Sequence, residues 1–550
     1  RPVGNTMMHH MPPFTPRHNT QPHPAPHAPT PKACHAQNHG PHTAALGRKH
    51  RLVALITLGL ISSALPAPYA AAAPHGAQGL QNPTPPLNGT LTPEDPLGHP
   101  TAPTPGLPTQ PSPTPIQPKV AQTPIVPLPL VGPQPVPAPP EHPTTQAEWV
   151  EKGRYLAAAA DCAACHTSTA AQPYAGNVPF ALPIGTLYAS NITPDKTHGI
   201  GAWSEAQFTR AVRQGVRPDG ATLYPAMPYP SYARMTDTDL HALYVYFMHG
   251  VQPVAQAAKA NAIAWPLSLR FPLTVWRWAF APTPQAARKA TLERPFATPQ
   301  QARGAYLVEG PGHCGACHTE RGLAMQEKAL TAQDGPRYLA GGKAIDGWLP
   351  PSLRGEATTG LGAWSAAEIT AFLQTGRTQR GSAFGGMDTA VHHGTQYLTE
   401  ADLAAMASYL KTLPAAQQQA PYKPDQAATK ALLSGGKLTQ GQRLYLDNCA
   451  ACHRANGAGF APVFPPLAGN PVVQTDSAES VVHIILSGST LHGTQQAPSA
   501  FTMPGFATRL TDNQIAVLAS FIRHAWGNNA PVVTELSVRQ LRKTLTSTEQ

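Results

Sequence analysis

The chain has 550 residues, of which 12% are charged and 64 are proline; 39 Lys or Arg against 29 Asp or Glu give a formal charge of +10. That length is too great for one ordinary core and implies two to four domains, while the low charge and abundant proline imply that part of the chain is not globular. The basic excess is concentrated before residue 74, where six Lys or Arg stand with no acid; the remainder carries +4, which excludes a strongly basic nucleic-acid binder.

Residues 1–47 are rich in histidine and proline and read as low-complexity sequence, in keeping with an over-extended start. Cys34, the odd one of seven cysteines, falls here. Residues 48–73 bring a basic cluster (Arg48, Lys49, Arg51), an apolar run from Leu52 to about Leu65 and small residues near Ala71 to Ala73. This is the pattern of a cleaved secretory signal, and the run is short for a bilayer span. Residues 74–145 hold proline at roughly every third position with few charges, an expected disordered, semi-stiff tether.

From residue 146 one pattern recurs three times. In 146–260 a helix carrying Gly153 runs into "DCAACH" (Cys162, Cys165, His166); Met227 follows in "LYPAMPYPSYARM", then a helix opened by Thr236 with Asp239 three residues on and Tyr246 ten on. In 300–414 the counterparts are Gly304, Cys314, Cys317, His318, Met387, Thr399, Asp402 and Tyr409. In 435–530 they are Gly441, Cys449, Cys452, His453, Met503, Thr511, Gln514 and Phe521. The threonines have capping-box spacing, with Asp in place of Glu or Gln in the first two repeats. A glycine on one helix and a large ring on another predict a close crossing. The first two repeats share "GAWS" before a helix, at Trp203 and Trp364, expected to be packing residues; the third has no such tryptophan. Between repeats lie an aromatic linker, 261–299, and a second linker, 415–434; a polar tail, 531–550, closes the chain and is too polar to span a bilayer.

Six cysteines thus sit in three CxxC pairs, each followed directly by histidine. Short-loop disulfides would suit an exported protein, zinc would leave an odd pair over, and a redox CxxC wants a thioredoxin-like strand pattern that is absent here. None of these needs the histidine. Covalent haem c does: two thiols add to the porphyrin vinyl groups and the adjacent imidazole coordinates iron. The expectation is three covalently bound haem c groups, with His166, His318 and His453 as ligands on one side of the iron. Met227, Met387 and Met503 are the expected ligands on the other side, favouring the ferrous state and electron transfer. Met235 and Met248 compete in the first repeat but read as structural; His392 and His393 compete in the second. The fold class is mainly α: three tandem cytochrome c-type helical domains after a disordered, proline-rich N-terminal region.

The stretches "NITPDKTHGIGAWSEAQF", "LYPAMPYPSYARMTDTDL", "AYLVEGPGHCGACHT" and "HGTQYLTEADL" closely resemble the three-haem cytochrome c subunit of membrane-bound periplasmic dehydrogenases in acetic acid bacteria, over about 146–527. The resemblance implies a catalytic dehydrogenase partner, quinoprotein or flavoprotein, acting on an alcohol, sugar or polyol. Electrons would leave to membrane ubiquinone at the outer, periplasmic face of the cytoplasmic membrane. It also implies the three methionine ligands, and backbone near Pro194, Pro351 and Pro466 buttressing the histidines. The linker "AWPLSLRFPLTVWRWAF", with Trp265, Phe271, Trp276, Trp278 and Phe280, is the expected contact with the membrane surface or quinone; packing against neighbouring domains is the plainer reading. Two alternatives remain: a free periplasmic electron shuttle, and a di-haem peroxidase-like enzyme. The latter needs a haem with an open position, against which three methionines stand. No catalytic constellation of the chain's own is evident.

Overall fold

The computed structural model describes residues 136–548, with side chains to residue 545. The signal-like segment, Cys34 and most of the proline-rich region lie outside the described residues.

Thr145 opens α1 (Gln146–Ala159) with a capping box closed by Glu148. The single turn α2 (Cys162–His166) leads to a hairpin, β1 (Pro179–Leu182) and β2 (Gly185–Tyr188), then α3 (Glu205–Gln214), α4 (Tyr229–Tyr232) and α5 (Asp237–Val245). Strand β3 (Ala262–Ile263), at the start of the expected linker, pairs antiparallel with β2, giving the order β1-β2-β3. The linker that follows is largely helical, as α6 (Phe271–Phe280) and α7 (Pro284–Leu292). The second repeat comprises α8 (Pro299–Glu309), α9 (Gly315–His318), α10 (Ala366–Thr375), α11 (Gly386–His393) and α12 (Glu400–Leu410). After α13 (Ala427–Leu433) the third comprises α14 (Gln440–Asn448), α15 (Ala450–His453), α16 (Glu479–Ser487), the hairpin β4 (Gly488–Leu491) and β5 (Phe501–Pro504), and α17 (Asp512–His524). The expected polar tail holds a helix, α18 (Glu535–Thr548), packed on the third core through Val538, Leu541 and Leu545. Those three apolar residues recur at helical spacing, a stripe hidden by the polar residues between them.

Each repeat has its own hydrophobic cluster, and in each the first helix crosses the last: α1 on α5, α8 on α12, α14 on α17. The predicted glycine–aromatic crossing holds three times. A Cβ on Gly153 would collide with the Ala242 carbonyl and Tyr246 Cβ, and one on Gly304 with the Ala405 carbonyl and Tyr409 Cβ. On Gly441 it would lie 2.9 Å from Phe521 Cβ. Glycine is required there because only a bare backbone lets the helices approach this closely.

The predicted caps divide along the same line as the repeats. Thr511 and Gln514 form a full reciprocal box. Thr236 and Thr399 accept from the backbone N–H three residues on, but Asp239 and Asp402 do not reach back to the cap. They serve the neighbouring repeat instead. Tyr155 Oη, from α1, donates to Asp402 Oδ2 at 2.6 Å and accepts from the Thr399 N–H at 3.2 Å. Tyr306 Oη, from α8, donates to Asp239 and accepts from the Thr236 N–H at 3.4 Å. The first two repeats therefore exchange like contacts, each offering a tyrosine to the other's last helix. Tyr155 and Ala159 even belong to the hydrophobic cluster of the second repeat.

Candidate haem-binding sites

Each CxxCH motif forms a single helical turn that brings its two cysteines and histidine together. The His318 N–H donates to the Cys314 carbonyl and the His453 N–H to the Cys449 carbonyl, both at 2.9 Å. A glycine with positive φ then closes the turn from outside: Gly176, Gly341 and Gly459 donate their N–H to the carbonyls of His166 (2.7 Å), His318 (2.9 Å) and His453 (3.1 Å). Sequence reasoning missed these glycines because their spacing from the histidine differs in every repeat.

The imidazoles are held alike. His166 Nδ1 lies 2.7 Å from the Ser190 carbonyl, His318 Nδ1 2.7 Å from the Pro351 carbonyl, and His453 Nδ1 2.9 Å from the Pro465 carbonyl. A carbonyl only accepts, so Nδ1 carries the proton and Nε2 keeps its lone pair for a metal. Desolvation lowers all three histidine pKa values, against a smaller upward pull from the carbonyl, which keeps the rings neutral as ligation requires. The expected buttress at Pro351 is correct. Near Pro466 the acceptor is the adjacent Pro465, again as expected, whereas in the first repeat it is Ser190, four residues before Pro194.

The six cysteines of the motifs form no disulfide. Loss of solvent pushes the Cys165, Cys314 and Cys449 thiols up to about 12 and Cys162 higher still. That is the reverse of the acidic thiol of a redox CxxC. Among the described residues no group of three or more His, Cys, Asp or Glu could hold a metal ion. Two thiols on one turn beside a neutral, oriented imidazole with a free Nε2 are a donor set that fits covalent haem c.

Met227, Met387 and Met503 are half-buried and each packs at the edge of its own repeat's cluster. Their settings differ from one another: Met227 lies in a turn between helices, Met387 in the first turn of α11 and Met503 on β5. Met235 is fully buried in the first core, and Met248 packs against the same core, as expected of structural residues. His392 and His393 face one another at 4.8 Å, and His392 also faces His492 of the third repeat at 4.9 Å. Trp364 is buried in the second core and Trp203 packs against the first, in keeping with packing roles.

The aromatic linker splits into two kinds of residue. Trp276 is tied inward, donating Nε1–H to the Ala324 carbonyl at 2.7 Å and meeting the Tyr229 ring edge-on. Trp265, Leu267, Leu269, Phe271 and Trp278 are exposed, Trp265 at 80%. No helix among the described residues is long and apolar enough to cross a membrane.

The cytochrome c family matches this chain over residues 150–250, 301–414 and 438–526, one stretch for each motif. The chain belongs to that family, alongside the cytochrome c subunits of dehydrogenases from acetic acid bacteria and their relatives. It is 51% identical over 405 residues to the cytochrome c subunit of the quinone alcohol dehydrogenase of Gluconacetobacter polyoxogenes, covering 73% of this chain and 86% of that one. It is 50% identical over 398 residues to the gluconate 2-dehydrogenase cytochrome c subunit of Pantoea cypripedii, covering 72% and 89%. With the fructose dehydrogenase cytochrome subunit of Gluconobacter japonicus identity is 36% over 417 residues, covering 72% and 82%.

Proposed function

We propose that this chain is the electron-transfer subunit of a dehydrogenase complex at the outer face of the cytoplasmic membrane. It comprises three cytochrome c domains, 146–260, 300–414 and 435–530, each attaching one haem c through its cysteine pair. The observation that carries this reading is the threefold histidine setting, Nδ1 on a backbone carbonyl and Nε2 free behind two thiols. Family membership and relatives that are dehydrogenase cytochrome subunits support it.

Haem iron supplies reversible one-electron exchange when bound. The protein's part is to fix that exchange in place. The motif turns hold the thiols and imidazoles, and the Ser190, Pro351 and Pro465 carbonyls orient the rings and raise their basicity. Met227, Met387 and Met503 would supply thioether ligands to the iron, which would favour its ferrous state. Electrons enter from a catalytic dehydrogenase subunit and leave to membrane ubiquinone. The exposed Trp265, Leu267, Leu269, Phe271 and Trp278 form the surface that lies against the membrane, apolar side chains suited to the headgroup boundary.

The test is reconstitution with the partner dehydrogenase and quinone in membranes. Serine at Trp265, Phe271 and Trp278 should release the complex or depress quinone reduction while the partner still reduces the haems. Survival of both properties would make the linker packing only. Oxidation of an alcohol or sugar by the isolated chain would refute the subunit reading.

A further inference from the structure

Helix α11 meets all three repeats. It carries Met387, packs against the Cys162–His166 turn of the first repeat, and reaches the third through Asp388. Asp388 is only 6% exposed, and a carboxylate so placed is costly unless donors surround it. Its donors come from the third repeat. Oδ1 accepts the His492 backbone N–H at 2.9 Å, and Oδ2 meets His492 Nδ1 at 2.6 Å.

His492 directly follows β4, whose last residue, Leu491, is buried with Ala383 and Val391 in a cluster that Met387 packs against. The same strand pairs with β5, placing Ser489 opposite Met503. One side-chain pair therefore links the helix bearing the second repeat's methionine to the hairpin bearing the third's.

We infer that Asp388 and His492 form an interdomain clamp that positions Met387 toward the second haem, so that the ligand geometry of that haem depends on docking of the third repeat. Asp388 and His492 are positioning residues and act through Met387. The inference rests on the proposed ligand role of Met387. Rotation of α11 is opposed by two bonds at its first turn and by the Leu491 contact beside the methionine. Releasing the bonds leaves the helix free to shift without altering any haem attachment residue.

The experiment is ferric-state spectroscopy and redox titration of the haem-loaded chain, with Met387→Ala defining the signature of the second haem. Asp388→Ala should retain three attached haems yet lose or weaken the sulfur-to-iron band of that haem and shift its potential, leaving the other two unmoved. Asp388→Asn, which keeps an acceptor for the backbone N–H, should restore part of the band. His492→Ala is a half-exposed change in the third repeat and guards against misfolding of the aspartate variant; it should shift the second haem in the same direction. Unaltered band and potential in both Asp388→Ala and His492→Ala would overturn the clamp while Met387→Ala still removes the band. A band that survives Met387→Ala would overturn the ligand reading, and the clamp with it.

Discussion

The junction between the first and second repeats is built differently from that between the second and third. At the first, equivalent tyrosines are exchanged onto equivalent aspartates, Tyr155 to Asp402 and Tyr306 to Asp239, an approximate two-fold arrangement. At the second no such symmetry exists. Trp348 stacks on His483 with centroids 3.7 Å apart and planes 15° apart, the Leu349 N–H donates to Ser480 Oγ at 2.8 Å, and Arg377 reaches the Ala497 and Ser499 carbonyls. Two repeats that share sequence can offer each other the same surface. The third lacks the partner residues, for Arg443 stands two residues past Gly441, where the first two repeats have tyrosine, and its Gln514 closes its own cap.

Breaking the exchange should have the largest effect. A hydrogen bond to a charged group contributes about 1.5–3 kcal/mol, so Tyr155→Phe with Tyr306→Phe should destabilise the first two repeats by about 4 kcal/mol in denaturant titrations. The singles should differ. Asp402 keeps its bonds from Arg303 at 2.8 and 2.7 Å, whereas Asp239 has no ion pair among the described residues, so Tyr306→Phe should cost more than Tyr155→Phe.

Next come the crossings. Gly304→Ala forces a methyl onto a backbone carbonyl and should cost about 3 kcal/mol, while Gly441→Ala meets a side-chain Cβ and should cost about 1 kcal/mol. Equal costs, read as unfolding midpoints of the two variants, would contradict the closer crossing in the second repeat.

How far the molecule was legible in its sequence follows from the same contrast. The three motifs, the crossing glycines and the cap threonines were readable because each depends on short, fixed spacing. The role of Asp239 and Asp402 was not, although "GRY" and "GAY" in the first helices held the signal: a tyrosine two residues past the crossing glycine, matched to an aspartate where a box wants glutamate. Ser190 was missed, and Pro465 was placed only to its neighbourhood, because a backbone carbonyl carries no side-chain signature. Helix α18 was missed because three apolar positions among polar ones give a weak stripe.

A smaller effect should separate the second junction from the first. Trp348→Ala removes the stack on His483 and should weaken docking of the third repeat by about 2 kcal/mol. In calorimetry a transition for that repeat should then move down while the transition of the first two stays in place.

The smallest expected effect is on pH dependence. Desolvation pushes the Asp402 carboxyl up, but Arg303 and Tyr155 outweigh it and hold its pKa below the ordinary carboxylate range. A depressed carboxylate stabilises the folded state above its unfolded pKa, and the contribution is lost as pH falls through the folded value. Acid should thus loosen the first junction, and Asp402→Asn should flatten that part of the stability profile below about pH 4. A profile unchanged by the substitution would remove this ion pair from the account.

The proposed function requires one haem per repeat, and the most direct test is the mass and haem content of the denatured, haem-loaded chain. The account predicts three covalently attached haem groups, one lost for each motif whose two cysteines are replaced by serine. Two or fewer in the intact chain would contradict it.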